Sequence, residues 1–223
     1  MQENRDNSYK YSLPKELIAQ KPASPRDSAR LLVYSRTTKK IIHDVFRNLP
    51  NYLPKNAVLV VNETKVIPAR LTLKKESGGV VKVLYTEKYK TYMYVLPNKK
   101  LTPGAKLWLT DQIYFTVKSN ESNKFTLSSP KGYLLKPSFS LEHLYKILEE
   151  YGGTPIPPYN KYSPLKEKEL KEKYQTIFAK KQGSVAAPTA SLHFTSSLFK
   201  KLQQAGIETH FITLHVGLGT FAP

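Results

Sequence analysis

At the end of its first third, the chain reads Ala57-Val58-Leu59-Val60-Val61-Asn62-Glu63-Thr64-Lys65-Val66-Ile67-Pro68-Ala69-Arg70. Five apolar residues without alternation predict a strand that is covered on both faces. The polar cluster that follows lies at the carboxyl end of this strand, where α/β proteins bind ligands. Asn62 and Thr64 can hydrogen-bond a base or a sugar, while Lys65 and Arg70 add positive charge. The alternative is a turn that uses Asn and Thr to satisfy its own backbone, and the residues leave both open.

The pattern differs on the two sides of this segment. Upstream, Pro14 occupies a favourable first position for a helix, and residues 30–34 and 40–43 predict two strands joined by a polar turn. Downstream, short runs rich in Val, Tyr, Thr and Phe recur about every ten residues between Gly and Pro turns, which is typical of a small barrel or sandwich. These runs are residues 80–85, 92–96, 106–109, 114–117 and 125–127.

Helical spacing returns after residue 136. Residues 141–148, 166–173 and 195–206 predict helices, and residues 207–215 predict a strand. The predicted fold class is therefore α/β plus all-β. We expect a main α/β domain made of residues 1–70 and 137–223, with a small β-barrel domain inserted at residues 71–136. The alternative is a single mixed fold without a clean boundary.

The charge balance indicates a polyanionic partner. Lys and Arg number 35 against 17 Asp and Glu, which gives a net charge of +18, and nucleic acid is the partner that such an excess favours. A proteome that is basic throughout is the alternative. The absence of cysteine excludes disulfides, thiolate zinc sites and cysteine nucleophiles. A polar amino terminus and the lack of a long apolar run predict a cytoplasmic protein that does not associate with membranes.

Three further segments combine residue types that suit a binding site. Arg26-Asp27-Ser28-Ala29-Arg30 can clamp a phosphate or carboxylate, or can be a surface ion pair. Gly183-Ser184-Val185-Ala186-Ala187-Pro188-Thr189-Ala190-Ser191-Leu192-His193-Phe194-Thr195 lets a flat ligand approach the backbone ahead of a helix. Thr213-Leu214-His215-Val216-Gly217-Leu218-Gly219-Thr220-Phe221 runs from a strand into a Gly-x-Gly turn. His193 and His215 can transfer protons, although a lone histidine is more often structural. No histidine has the partners of a metal site, so we predict no metal.

Taken together and in order, these segments resemble the S-adenosylmethionine:tRNA ribosyltransferase-isomerase family of queuosine biosynthesis. The matching stretches are residues 11–22, Arg26-Asp27 with Arg30-Leu31-Leu32, residues 61–71, Pro155-Ile156-Pro157-Pro158-Tyr159, Tyr174-Gln175-Thr176, residues 186–195 and residues 213–221. The chain departs from the family at Ser12, Ala29, Lys82 and Ser191. Family members also continue past Pro223 into a further segment, so we expect this chain to hold the front part of the family's sequence.

The resemblance implies a reaction. The ribosyl group of S-adenosylmethionine, the co-substrate, moves to 7-aminomethyl-7-deazaguanine at the wobble position of a tRNA with a queuosine-type anticodon. It isomerises to an epoxycyclopentane-diol, giving epoxyqueuosine, and adenine and methionine leave. A monomer is expected. The alternative is a truncated, non-catalytic RNA-binding member of the family.

The resemblance also implies roles for particular residues. His193 and His215 are the candidates for proton transfer. Asn62, Thr64, Thr189 and Thr220 orient base and sugar, and Arg26, Lys65 and Arg70 hold phosphate or the methionine carboxylate. The remaining residues of the predicted substrate site are Asp27, Arg30, Tyr174, Gln175, Pro188, Ala190, Phe194, Thr195, Gly217 and Gly219. We expect the turn at residues 62–65, the corner at residues 188–193 and the terminal glycine bend to meet around one cleft.

Overall fold

The computed structural model describes residues 11–119 and 132–217. Twelve strands and three α-helices are assigned within these ranges. The strands are β1 Arg30–Tyr34, β2 Ile41–Val45, β3 Val58–Asn62, β4 Thr64–Val66, β5 Arg70–Lys75, β6 Val80–Tyr89, β7 Tyr92–Pro97, β8 Lys106–Trp108, β9 Tyr114–Ser119, β10 Tyr133–Pro137, β11 Lys181–Ser184 and β12 Glu208–Ile212. The helices are α1 Leu144–Tyr151, α2 Glu167–Lys173 and α3 Ser196–Gln204.

Strands β5 to β10 close into an antiparallel barrel with the order β10-β7-β6-β5-β8-β9. Alternate side chains of each strand point inward, and Leu73, Val81 and Phe115 are fully buried there. A register shift between Leu134 and Leu135 marks a bulge where β10 meets β9, the kind of irregularity that helps a small sheet to curve. The predicted strand at residues 125–127 lies outside the described residues.

Outside the barrel, two pairs of strands are parallel, as in α/β folds. Strand β11 pairs with β4 and strand β12 pairs with β3, both in parallel, while β1 and β2 form an antiparallel hairpin. Helix α3 buries Leu198 and Leu202 against Val61, Phe178 and Phe194. A barrel together with parallel α/β pairing confirms the predicted fold class; the domain boundaries at residues 70–71 and 136–137 stay a prediction.

The barrel shares its core with residues outside its strands. Ile67 and Val185 belong to the same buried cluster as the barrel interior, and so do Leu144 and Leu148 of α1. Helix α1 is short, and it gains its stability from burying these two leucines rather than from its own length. The barrel and α1 therefore form one hydrophobic unit.

The prediction that the run at residues 57–61 is covered on both faces is wrong. Val61 is 3% exposed, but Val58 and Val60 are 54% and 58% exposed. The physical reason is the sheet itself, since within the described residues β3 pairs with one strand, β12, and the core around α3 packs against one side. Strand β12 also leaves the consecutive residues Phe211 and Ile212 exposed.

Several element boundaries differ from the predicted ones. The segment after Pro14 forms a 3₁₀ turn at Lys15–Leu17 in place of a helix, because Leu13 and Leu17 are exposed and have no surface on which to bury an apolar face. The predicted helix at 141–148 begins as a 3₁₀ turn and is α-helical only from Leu144. Strand β12 ends at Ile212, so His215 lies beyond it.

Within the described ranges, no helix combines the length and the apolar character that crossing a membrane requires.

Candidate active site

The polar turn after β3 is tied to the chain that follows β12. The Asn62 side-chain amide donates to the Leu214 carbonyl at 2.8 Å, and its oxygen accepts from Leu214 N and Thr64 N, both at 3.1 Å. The amide thus satisfies backbone groups at the point where the parallel pairing of β3 and β12 stops. The turn and the terminal segment are therefore in direct contact, and Asn62 is one of the residues that join them.

His215 sits between a buried hydroxyl and a glycine. Its Nδ1 lies 2.7 Å from the Oγ1 atom of Thr64, which is itself fully buried. On the other side of the ring, a Cβ atom at Gly183 would lie 2.8 Å from Cε1 and 2.8 Å from Nε2 of His215. The contact at Nδ1 fixes the ring orientation, and the missing side chain at Gly183 makes room for the ring.

Ser184 anchors the backbone next to His215. Its hydroxyl accepts from Val216 N at 2.9 Å and donates to the Ala186 carbonyl at 2.7 Å. The Val185 N–H donates to the Val216 carbonyl, so the terminal segment is held against β11. Gly217 lies at the end of the described residues, and the predicted site residues Gly219 and Thr220 lie outside them.

A cavity of about 250 Å³ opens between the amino-terminal segment, α2 and the corner before α3. Its walls are mainly apolar, with Ile156, Leu170 and Leu192 among them, and Thr189 and His193 lie at one side. Gln20 and Asn160 also line it, and the side-chain oxygens of both are buried without a hydrogen-bond partner among the described residues. Buried acceptors of this kind are normally satisfied, but each of these oxygens has almost no exposed surface, so a ligand in the cavity reaches them only if the side chains turn toward it. We call this space the Arg26 cavity.

Arg26 lines this cavity while binding the backbone on two sides. Its guanidinium donates to the carbonyls of Gln175, Glu172 and Leu192. Burial lowers the pKa of Arg26, and the nearby Glu172 opposes this shift; the side chain still remains a cation. These bonds connect the end of α2 to the corner before α3. A role in holding phosphate or carboxylate stays a prediction for Arg26.

Asp27 and Thr195 form a buried pair that caps α3. Thr195 Oγ1 donates to Asp27 Oδ2 at 2.9 Å and accepts from Leu198 N at 3.2 Å, which is an N-cap interaction. Arg47 lies 4.0 Å from Asp27 Oδ1. The Thr195 contact binds the segment before β1 to α3, and the Arg47 contact binds it to the 3₁₀ segment Phe46–Tyr52.

His193 lies at the end of a 3₁₀ turn, Thr189–His193. Its ring is 5.2 Å from the ring of Phe46, and it borders the Arg26 cavity. The residue is exposed by surface area, yet the aromatic neighbour and the cavity wall withdraw part of the ring from water. This burial lowers the pKa of His193 below the ordinary value of 6.5, so the imidazole is neutral at neutral pH. Phe194, the next residue, points into the core against Phe46 and Phe178.

A second cavity, of about 340 Å³, lies beside the first. Lys65, Lys168 and Lys171 line it together with Glu149 and Glu172, so it is a charged cleft that an anionic group can enter. We call it the Lys65 cleft. The side-chain amide of Gln175 forms part of its wall and pairs with both backbone groups of Val66, at 3.0 and 2.7 Å.

Tyr174 lines both the Arg26 cavity and the Lys65 cleft. Burial raises the pKa of its hydroxyl, which is hydrogen-bonded to the backbone of Ala187. The phenol is therefore neutral and fixed in position. It connects the two spaces with the small-residue segment that leads to His193.

The other predicted site residues lie away from the two cavities. Arg70 donates to the Ile156 carbonyl at 3.1 Å, and its backbone bridges to Gly153. Arg30 is exposed at the first residue of β1. Pro188 and Ala190 flank Thr189 but do not belong to the cavity linings.

The structure brings the predicted residues together in two groups. Asn62, Thr64 and His215 meet at the end of the β3–β12 pair. Arg26, Thr189 and His193 meet at the Arg26 cavity. Segment 184–187 runs from the first group to the second through Ser184 and the Ala187 contact with Tyr174. That the turn at residues 62–65, the corner at residues 188–193 and the terminal glycine bend meet around one cleft stays a prediction.

Some residues of the site were missed by sequence reasoning. Gln20 and Asn160 lie in or beside stretches that carry the family resemblance, but their amides gave no chemical signal. Gly183 and Ser184 were quoted only for their small size. Arg47 comes from a segment without any motif, and only the fold reveals its contact with Asp27. Among the described residues, no group of three His, Cys, Asp or Glu side chains is placed to hold a metal ion.

Residues 6–223 match the family profile described as "Queuosine biosynthesis protein". The chain belongs to this family. This confirms the resemblance drawn from the sequence segments.

Curated relatives carry the name S-adenosylmethionine:tRNA ribosyltransferase-isomerase. The relative from Thermosipho melanesiensis is 42% identical over 220 residues, which cover 97% of this chain and 61% of the relative. The relative from Aquifex aeolicus is 44% identical over 224 residues, which cover 98% of this chain and 63% of the relative. The chain thus spans about three-fifths of the length of these relatives.

A solved structure also matches, the crystal structure of S-adenosylmethionine tRNA ribosyltransferase from Thermotoga maritima. It is 27% identical, and the match covers 92% of this chain and 57% of that protein with a TM-score of 0.35. A TM-score this low supports no statement about the arrangement of the present chain.

Proposed function

We propose that this chain acts as an S-adenosylmethionine:tRNA ribosyltransferase-isomerase. It would transfer and isomerise the ribosyl group of S-adenosylmethionine onto 7-aminomethyl-7-deazaguanine in a cytoplasmic tRNA with a queuosine-type anticodon. The observation that carries the proposal is the Arg26 cavity, which combines apolar walls, two unpaired amide oxygens and a histidine at its side.

The Arg26 cavity would hold the adenine ring. At about 250 Å³ it lies just below the size range of about 300–1,000 Å³ for whole-ligand pockets, so it suits a fragment such as a purine. Apolar walls cover the faces of a flat ring. Gln20 and Asn160 carry oxygens that, once the side chains turn toward the ring, can accept hydrogen bonds from an exocyclic amine, and Thr189 adds a hydroxyl.

His193 would move a proton next to this ring. The reaction removes a proton from the ribose carbon beside the sulfonium, adenine takes up a proton as it leaves, and methionine departs as a neutral thioether with the electron pair of the broken C–S bond. A base must be unprotonated at working pH. The lowered pKa of His193 meets that condition.

His215 and the Lys65 cleft would complete the site. The Thr64 hydroxyl holds the His215 ring in one orientation, as a histidine that exchanges protons or donates a hydrogen bond requires. Lys65, Lys168 and Lys171 can attract the methionine carboxylate or a phosphate of the tRNA. Tyr174 would position these two ligand regions relative to each other.

The experiment is adenine release from S-adenosylmethionine in the presence of tRNA that carries the deazaguanine precursor. We expect release by the wild-type chain and a loss of about 10²–10⁴-fold for His193→Gln, the range that general acid–base catalysis contributes. His143→Gln is the matched control, since His143 is exposed on the 3₁₀ turn before α1 and should leave the rate unchanged.

The pH dependence tests the role of His193 separately. Because burial lowers its pKa, the rate should rise with pH through a midpoint below 6.5 and be constant above it. An NMR titration of the His193 ring should give the same midpoint. A rate that keeps rising well above pH 7, or an unchanged rate in His193→Gln, would assign the proton transfer to another group.

The alternative function is RNA binding without catalysis. The charge excess favours it as much as it favours the enzyme. Under this alternative, tRNA binds in a salt-dependent manner and no adenine is released at any enzyme concentration.

A further inference from the structure

Half of the net charge of the chain resides in the barrel segment. Residues 70–137 contain 12 lysines and one arginine against four acidic residues, a net charge of +9 out of +18. The two cavities described above use none of the barrel's lysines. This charge therefore calls for an explanation that the candidate active site does not supply.

The charge is concentrated on four neighbouring strands. Strands β5, β8, β9 and β10 lie side by side in the barrel. Their sequences are RLTLKK, KLW, YFTVKS and YLLKP. Lysine or arginine occupies six of these positions and aspartate or glutamate occupies none, which gives these strands one sign of charge, and the exposed turn between β8 and β9 adds Asp111.

Two aromatic rings lie within this charged surface. Trp108 on β8 and Tyr114 on β9 are register partners, with ring centroids 4.8 Å apart. Both rings point outward, because their neighbours along the strands, Leu107 and Phe115, are buried inside the barrel and side chains alternate between the two faces. Lys106 lies over both rings, 4.9 Å from the Tyr114 centroid and 5.9 Å from that of Trp108.

Lysines surround the two rings in a regular arrangement. Trp108 pairs with Tyr114 on one side and with Lys74 of β5 on the other, so that Lys74, Trp108 and Tyr114 form one row across three strands. Lys106 and Lys136 are both register partners of Thr116 and form the next row. With strands about 4.8 Å apart, these two lysines are about 10 Å apart. We call residues Lys74, Lys106, Trp108, Tyr114 and Lys136 the barrel face.

We propose that the barrel face binds an unpaired stretch of RNA. Bases stack on Trp108 and Tyr114, and the lysine rows attract the phosphates that follow the bases. Aromatic rings inside a basic groove are how proteins hold single strands, whereas a duplex hides its base faces and offers only phosphates. That the RNA is a tRNA rests on the proposed function; that the barrel face binds unpaired RNA does not.

The test is equilibrium binding of fluorescein-labelled RNA without S-adenosylmethionine, so that a failure of catalysis leaves the result unaffected. The probes are a 12-nucleotide single strand and a blunt duplex of the same length. The double variant Lys106→Glu with Lys136→Glu is compared with Lys200→Glu and Lys201→Glu, two exposed positions on α3. Both double variants change the net charge by the same amount, so their long-range electrostatic attraction to RNA is the same.

We expect the barrel pair to weaken single-strand binding at least tenfold. Its log–log salt dependence should become shallower by about 1.4, the value for two lost phosphate contacts on a single strand. The α3 pair should have a small effect on both. Equal weakening by the two pairs would mean that charge acts without a site, and would overturn the proposal.

The stacking component is tested at Trp108. Trp108→Leu should weaken single-strand binding about tenfold, within the range that stacking of one base contributes, while Trp108→Phe should keep most of it. The thermal unfolding midpoint verifies that each variant is folded. Single-strand binding unchanged in Trp108→Leu contradicts the proposal. A second outcome also contradicts the proposal: Trp108→Leu weakens binding to phosphatidylserine vesicles but leaves RNA binding unchanged. The barrel face would then bind a membrane.

Discussion

At the scale of single residues, many candidate ligand-binding side chains also hold the chain together. Asn62 satisfies the backbone of residues 64 and 214, Gln175 pairs with Val66, and Arg26 binds three carbonyls. Such bonds cost stability when one partner is removed, because the other is left unsatisfied. A loss of activity after substitution of these residues must therefore be read beside a measurement of folding.

Gly183 offers a cleaner test of the His215 position. Gly183→Ala would bring a methyl group to 2.8 Å from the His215 ring at a backbone φ of +149°. We expect a free energy of unfolding that falls by about 1–3 kcal/mol more than in the control, the range for overpacking. Urea denaturation of both proteins measures this.

The control is Gly206→Ala, which also has a positive φ, +78°, but has open space around the added Cβ. It also places an alanine at a positive φ, which is strained, and it lacks the collision. Equal losses for the two variants would show that the His215 ring does not pack against residue 183.

At the scale of elements, short runs rich in Val, Tyr, Thr and Phe between Gly and Pro turns marked β6 to β9 of the barrel, whereas β5 and β10 were not among the predicted strands. The prediction for β3 was wrong. An uninterrupted apolar run predicts two covered faces, but coverage depends on which elements lie on either side, and that is not a property of the run.

The same substitution at two adjacent positions of β3 should have a large effect on stability at one and almost none at the other. Val61→Thr places a hydroxyl in a buried site and should lower the free energy of unfolding by about 1–3 kcal/mol. Val60→Thr, the matched control, changes a residue that is 58% exposed and should stay within about 0.5 kcal/mol. Urea denaturation of this chain measures both, and a large loss in Val60→Thr would mean that the outer face of β3 is covered.

At the scale of the whole molecule, the barrel and α1 share a core although α1 lies outside the barrel strands. Leu148 of α1 is fully buried in the cluster that fills the barrel. The chain has a single tryptophan, Trp108, and it lies on barrel strand β8. Trp108 fluorescence therefore reports on the unfolding of the barrel.

Leu148→Ala should destabilise the barrel from outside it. We expect a loss of about 2–5 kcal/mol, the range for a buried leucine, in the unfolding transition followed by Trp108 fluorescence. Lys146→Ala, on the exposed side of the same helix, should change it by less than about 0.5 kcal/mol. A fluorescence transition unchanged in Leu148→Ala, alongside loss of helical signal, would mean that the barrel folds independently of α1.

The sequence by itself determined the barrel, the α/β pairing around it, the charge excess and the family, because alternation, turn residues and local motifs are properties of neighbouring positions. It could not pair Asp27 with Arg47 and Thr195, seat His215 between Thr64 and Gly183, or place Gln20 and Asn160 in one cavity. Those contacts join positions far apart along the chain. Only the packing of the folded chain decides which of them meet, which faces remain in water, and which rings and lysines share the barrel face.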